Sequence, residues 1–392
     1  MKKTITFALW LMSSCAAASH SDFSWHGYVA QGVTQSKGSS FITDDDKITG
    51  ELTEIGLNGY YQLAKNVSIA GQINYLDGGN RFEQGARLDY LFVDWKLPDL
   101  SENWRGQIHI GRYKNKHWLY SVTRDVPQTR YTSVLPQSVY FDGFRDVALG
   151  SNGIQANFSH LGSHYNWDLN WSYGRSHIND TQRDFLLGSD ANGKIKQDFV
   201  HQASVFLQPS SLTWKVGASW LNSDFRYTPS LNDNRLSGEA NIERLMLSAQ
   251  YFAENWEVSA EVLREIQDSK GLFAPDFAEK RRGEGGFVQF RYLFNNDLSG
   301  LIGFDTYVND VSDRQGKQLE ALSGGTIPAY FVGYQDTYTI GLRWDIAPKW
   351  RLQGEYHWVE GATRVVSLLN RDVASHADKY WEMWSLQLMY WF

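Results

Sequence analysis

From Tyr165 to Tyr173 the sequence reads YNWDLNWSY, so that Tyr165, Trp167, Leu169, Trp171 and Tyr173 alternate with Asn166, Asp168, Asn170 and Ser172. Successive side chains of an extended strand point to opposite faces, and this spacing gives one apolar face and one hydrated face. The pattern returns in YTIGLRWDI, where Tyr338, Ile340, Leu342, Trp344 and Ile346 oppose Arg343 and Asp345. It returns again in WRLQGEYHW, with Trp350, Leu352, Tyr356 and Trp358 opposite Arg351, Gln353, Glu355 and His357. A buried sandwich core would rarely carry charge so steadily at every second position, whereas a water-filled interior would.

Read this way, the chain contains sixteen strands, near 23–35, 51–63, 67–76, 87–97, 104–113, 152–159, 164–174, 196–207, 213–225, 241–252, 256–266, 284–294, 298–308, 335–346, 350–360 and 378–392. Short connections alternate with long ones, the long ones near 36–50, 77–86, 114–151, 175–195, 226–240, 267–283, 309–334 and 361–377. Both chain ends therefore fall on the short-turn side, which is periplasmic in outer-membrane barrels. Proline, which has no N–H for a ladder, falls only in connections: Pro98, Pro209 and Pro348 in short ones, and Pro127, Pro136, Pro229, Pro275 and Pro328 in long ones. Trp95, Trp104, Trp214, Trp256, Trp344 and Trp350 lie beside short turns, where an aromatic girdle would meet the membrane interface.

Aromatic residues make up 15% of the chain, yet its mean hydropathy is −0.44 and no 18-residue apolar run follows the first residues. That excludes membrane helices and leaves a transmembrane barrel open, because alternation averages to a hydrophilic score. At the front, Lys2 and Lys3, the run TITFALWLM and the small residues SSCAAAS read as a secretory signal peptide, residues 1–18, cleaved after Ala18. Lipidation of Cys15 is the rival reading, and Met12 fits it poorly. Cys15 is the single cysteine, so the expected mature chain, residues 19–392, has no disulfide and no thiol chemistry. Without Lys2 and Lys3 it carries 35 basic residues against 44 acidic ones, a net of −9 with no basic stripe, which argues against a nucleic-acid partner.

The chain ends WSLQLMYWF, with Trp384, Leu386, Leu388, Tyr390 and Phe392 on one face. This alternating last strand resembles the assembly signal of outer-membrane β-barrel proteins of Gram-negative bacteria, and the strand count resembles their sixteen-stranded porins. The resemblance implies an all-β fold, a transmembrane antiparallel barrel in the outer membrane with a long third loop folded into the lumen. It also implies a homotrimer that passes small hydrophilic solutes or ions, sits in outer-membrane lipid and is inserted by the barrel assembly machinery through Tyr390 and Phe392. No cofactor is implied.

Sixteen strands are too many for side chains to fill the interior, so the longest connection, 114–151, is the chief candidate to narrow the pore. Its charges, with those at the adjoining strand end, are Arg112, Lys114, Lys116, Arg124, Arg130 and Arg145 against Asp125, Asp142 and Asp146; a loop lying on the outer rim is the alternative. Arg124 and Arg130 flank DVPQT and are expected on the pore-facing positive side. Inward charges elsewhere are Lys96, Arg105, Lys215, Arg244, Arg291, Arg343 and Arg351 against Glu54, Asp94, Asp168, Glu257, Glu261, Glu265, Asp305, Asp345 and Glu355, nearly balanced in sign, so that ion selectivity stays open. Asp44, Asp45 and Asp46 form either a solvated loop tip or a divalent-cation site. His109, His201 and His357 stand singly, without metal-ligand spacing. A passive porin without enzymatic activity or catalytic residues is the first reading. The alternatives are a barrel hydrolase, whose groups would assemble across strands without a local motif, and a receptor or adhesin acting through its loops.

Overall fold

In the computed structural model, which describes residues 22–98, 101–145, 150–188, 190–322, 330–365 and 377–392, sixteen strands form one closed antiparallel barrel in chain order. They are β1 (Phe23–Lys37), β2 (Thr53–Ala64), β3 (Val67–Asp77), β4 (Gly85–Lys96), β5 (Trp104–Lys114), β6 (Gly150–Leu161), β7 (Tyr165–Arg175) and β8 (Lys194–Pro209). There follow β9 (Trp214–Thr228), β10 (Gly238–Phe252), β11 (Trp256–Gly271), β12 (Ala278–Leu293), β13 (Leu298–Val308), β14 (Tyr334–Ala347), β15 (Trp350–Gly361) and β16 (Tyr380–Trp391). β16 pairs with β1 from Tyr28↔Trp391 to Lys37↔Glu382, so no edge strand is left with unpaired backbone groups. The expected signal peptide, residues 1–18, and Asp146 lie outside the described residues.

The two faces separate as the alternation requires. On β7, Tyr165, Trp167, Leu169, Trp171 and Tyr173 are exposed on the outside, and on β14 so are Tyr338, Ile340, Leu342, Trp344 and Ile346. The inward residues Arg351, Gln353, Glu355 and His357 of β15 are buried. An apolar belt encircling the whole molecule is far larger than a water-soluble monomer exposes, and it is the lipid-facing surface of the barrel.

Several strands run further than their apolar alternation. β11 and β12 pair from Trp256↔Tyr292 to Lys270↔Ala278, so the long connection expected at 267–283 shrinks to Leu272–Phe277. A ladder needs only backbone groups, and beyond the lipid belt the outer face carries charges, paired as Arg226–Asp198 (3.0 Å) and Arg264–Glu284 (3.8 Å). Pro209, placed in a turn by its missing N–H, is instead the last residue of β8, opposite Tyr165. At the seam, Phe392 and Gly27 exchange backbone hydrogen bonds of 3.1 and 3.0 Å. The Phe392 ring meets Trp25 edge-on at 5.5 Å, and a Cβ at Gly27 would fall 2.4 Å from it, so the glycine makes room for the terminal aromatic.

Candidate functional site

After β5 the chain leaves the wall and crosses the interior. From Trp118 onward its bonds to the barrel run to one side and around the seam. The Leu119 N–H and the Tyr140 hydroxyl donate to Glu261 of β11 (3.0 and 2.5 Å), and the Ser138 N–H donates to Asp305 of β13 (3.0 Å). Ser133 and Val134 donate their N–H groups to Glu355 of β15 (2.6 and 3.0 Å), Arg130 pairs with Glu54 of β2, and the Tyr28 hydroxyl of β1 donates to the Asp125 carbonyl. Charge-assisted bonds that backbone N–H groups donate to carboxylates are strong ones, and three separate carboxylates hold this segment in place.

Apolar contacts reinforce the seat. Trp118, Tyr120, Leu135, Val139 and Tyr140 pack on Met246, Leu263, Phe287 and Tyr307, inward residues of β10 to β13. Val134 packs with Val359, Trp381 and Met383 of β15 and β16. These inward apolar residues lie where a purely water-lined barrel would carry polar ones. They are the signal in the sequence that the strand-by-strand reading missed: strands apolar on both faces in their long-loop half must be covered from inside.

A buried ionic lattice ties the two ends of the loop together. Lys114 bridges Asp89 (2.5 Å) and Asp125, Arg145 also pairs with Asp125, and Asp142 accepts from Arg124 (2.6 Å) and lies 3.5 Å from Arg81. Removing one member would strand the others as uncompensated charges, which is expensive in a dry site. Burial alone would raise both loop carboxyls. The cations outweigh it, so Arg145 and Lys114 hold Asp125 well below the usual carboxylate range, and Arg81 and Arg124 hold Asp142 below it. His117 is buried against Trp118, ring centroids 4.1 Å apart, with neither ring nitrogen hydrogen-bonded. Burial, helped by Arg244, pushes its pKa down to about 3, so the ring is neutral near pH 7.

The structure thus brings Arg124, Asp125, Asp142 and Arg145 together in one lattice and joins Arg130 to Glu54. Arg124 and Arg130, expected to face the open pore, are instead buried and neutralised, because the segment turns its charged side chains toward each other and the wall. Arg112 departs further. It pairs with lipid-facing Leu91 on the outer side of β5, and its guanidinium donates to the carbonyls of Leu88 (2.9 Å) and Asp89 (3.1 Å), where β4 bulges. Arg291 pairs with Glu257 (2.6 Å) and Arg351 with Asp345 (2.5 Å), while the loop residue Tyr131 sits between Arg291 and Arg343 at 4.4 and 5.7 Å. Asp44, Asp45 and Asp46 bond separately to Asn80, Lys47 and the Gly38 N–H, and no group of three metal-ligating side chains occurs among the described residues.

Opposite the seat the wall is open. Between the Lys116–Val122 stretch and the inner faces of β6 to β9 lies a cavity of about 290 Å³, lined by Asn157, Ser159, Asp168, Asn170, Ser204 and Lys215 among others. Near its root the segment is bonded to this side, where the Ser204 hydroxyl donates to the Lys116 carbonyl (2.7 Å) and the Gln155 amide to that of Lys114 (2.9 Å), and at its far end Phe144 shares a pocket with Ile195 of β8 and Phe225 of β9.

Comparison with solved structures places this architecture. An anion-selective porin from Comamonas acidovorans is similar over 94% of this chain and 99% of its own, with a TM-score of 0.54 at 10% identity. The outer membrane channel DcaP of Acinetobacter baumannii is similar over 94% and 97%, with a TM-score of 0.57 at 11% identity. The trimer form of OmpT, an outer membrane protein of Vibrio cholerae, is similar over 94% and 99%, with a TM-score of 0.56 at 10% identity. The fold is that of the outer-membrane porins. No family model and no curated protein matches the sequence. At such identities the likeness extends to the barrel fold alone.

Proposed function

We propose that the chain is a passive outer-membrane porin, a water-filled channel for small hydrophilic solutes or ions, narrowed by the 114–145 segment within its lumen. The observation that carries this reading is the asymmetric lumen: one wall is covered by a bonded loop, and the other faces a polar cavity. A loop so held reduces the cross-section without closing the β6 to β9 side, and charges along that side would bias which ions pass. The reading is non-enzymatic, since the buried carboxylates Glu261, Asp305 and Glu355 are occupied in holding the loop backbone. It includes a leader, residues 1–18, removed during export, a homotrimer like the trimer form of the Vibrio protein, and insertion by the barrel assembly machinery, for which Tyr390 and Phe392 at the seam are the recognition candidates. Reconstitution of the folded chain in a planar bilayer tests it. Stepwise ohmic conductance with a finite reversal potential in a salt gradient is expected, and a barrel that inserts but carries no current would refute the channel.

A further inference from the structure

The cavity on the open side has a composition that its position does not require. Lys116 enters it from the loop and Lys215 from β9, and neither ammonium has an ion-pair partner within 4 Å among the described residues. Lys215 lies instead over the Phe206 ring at 4.7 Å. The one carboxylate in the lining, Asp168, accepts from the Ser159 hydroxyl at 2.7 Å and acts on Lys116 only at longer range. Two cations and one anion therefore line the cavity itself, with Asp94 acting on Lys116 and Glu261 on Lys215 from outside the lining. Beside them stand the apolar surfaces of Trp118 and Phe206 and the amide of Asn170, whose nitrogen donates to Asn157 at 2.5 Å. A volume of about 290 Å³ equals roughly ten waters at about 30 Å³ each, enough for a compact ring bearing one charged group. In the lumen Arg130, Arg244, Arg291 and Arg351 each meet a carboxylate within 4 Å, whereas Lys116 and Lys215 meet none among the described residues and are left to a ligand.

We propose that this cavity is a binding subsite for small organic carboxylates with an apolar body, the carboxylate meeting Lys116 and Lys215 and the body lying against Trp118 and Phe206. The inference deepens the porin reading and rests on it for its physiological sense, but binding is measurable without transport. The folded, full-length barrel in detergent is titrated with 4-fluorobenzoate and, separately, with 4-fluorobenzyl alcohol, and the fluorine NMR line is followed. Saturable broadening by the wild type is expected for the carboxylate and not for the alcohol. Lys116→Met with Lys215→Met should weaken carboxylate affinity at least tenfold, and Asp168→Asn should strengthen it. Heat-modifiable mobility on gels confirms that each variant is folded. Equal binding of the alcohol, or undiminished carboxylate binding by the folded double variant, would overturn the subsite. Conductance of the same preparations is recorded in parallel: a barrel that binds the carboxylate but never conducts would sink the porin reading and leave the subsite standing.

Discussion

The inner wall of β10 to β16 and the inner wall of β6 to β9 belong to one sheet and share one period, yet they face different surroundings. The first carries Met246, Leu263, Phe287, Tyr307, Trp381 and Met383 inward, and the loop covers it; the second carries chiefly Asn157, Ser159, Asp168, Asn170, Ser204 and Lys215, and a cavity faces it. Where both faces of a strand are apolar, lipid covers one and protein must cover the other. Where one face is polar, water can remain there. The contrast teaches that the route through such a barrel is set by where the loop can bury apolar area, and that charge decides only what passes along the remainder.

The comparison can be broken most forcefully by removing its covered half. Excision of Leu119 to Tyr140 takes away the crossing segment and should raise single-channel conductance several-fold; unchanged conductance in a folded barrel would mean that the segment does not narrow the pore. A smaller intervention is Tyr140→Ala. This ring is fully buried against Trp118 and Phe287, and its hydroxyl bonds Glu261, so the truncation should cost the loop seat about 3–5 kcal/mol, as large buried aromatics do, while the lipid-facing belt stays intact. Limited proteolysis should then cut between residues 115 and 145 far faster than in the wild type, with heat-modifiable mobility retained. The two faces of one open-side strand give a third test. Leu169→Arg places a charge in lipid at about 2–4 kcal/mol near the midplane, and Asn170→Arg places it in the cavity, so refolding yield in vesicles should fall for the first and hold for the second.

The barrel itself is largely legible in the sequence, because period-2 alternation, proline placement and tryptophan positions all depend on local rules. The strand order and the seam at Phe392 followed from them. The loop was legible only as a long, aromatic, charged connection. What alternation could not supply was the partner of each charge. Arg124 and Arg130 were expected to face the pore, but pairing with Asp142 and Glu54 lies 18 and 76 residues away along the chain and depends on how the loop folds across the lumen. Arg112 was grouped with the loop charges, although it shares the outer face of β5 with lipid-exposed Ile110, and its pairing with Leu91 keeps it on the lipid side. The seat for the loop was written in the inward apolar residues of β10 to β16.

This correction sharpens the ion-selectivity expectation. Reversing Lys215 to Glu, in the open cavity, should shift the reversal potential toward cations, and the shift should shrink in 1 M salt, where the Debye length is about 3 Å. Neutralising Arg130 with Met should shift it less, because that charge is already spent on Glu54. The smallest expected effect is one of pH. The folded pKa of His117 is depressed from 6.5 to about 3, so its contribution to the loop seat is full above about pH 6.5 and is lost progressively as the pH falls toward 3. The depressed Asp125 carboxyl, by contrast, contributes fully above its ordinary 3.8 and begins to lose that contribution only below it. Current noise from loop motion should therefore rise between pH 6.5 and 4.5, and His117→Leu should flatten that rise.

Thiol accessibility tests the account most directly, because Cys15 is the only cysteine of the sequence and lies in the segment expected to be removed on export. Asn170→Cys on β7 and Gln353→Cys on β15 place single thiols on the two contrasted walls. A charged methanethiosulfonate reagent applied to the conducting barrel should block most of the current through the first and leave the second unmodified, since Gln353 is 1% exposed beneath the loop. Equal reaction at both positions, or reaction at Gln353→Cys alone, would contradict the assignment of the open route to the β6 to β9 wall.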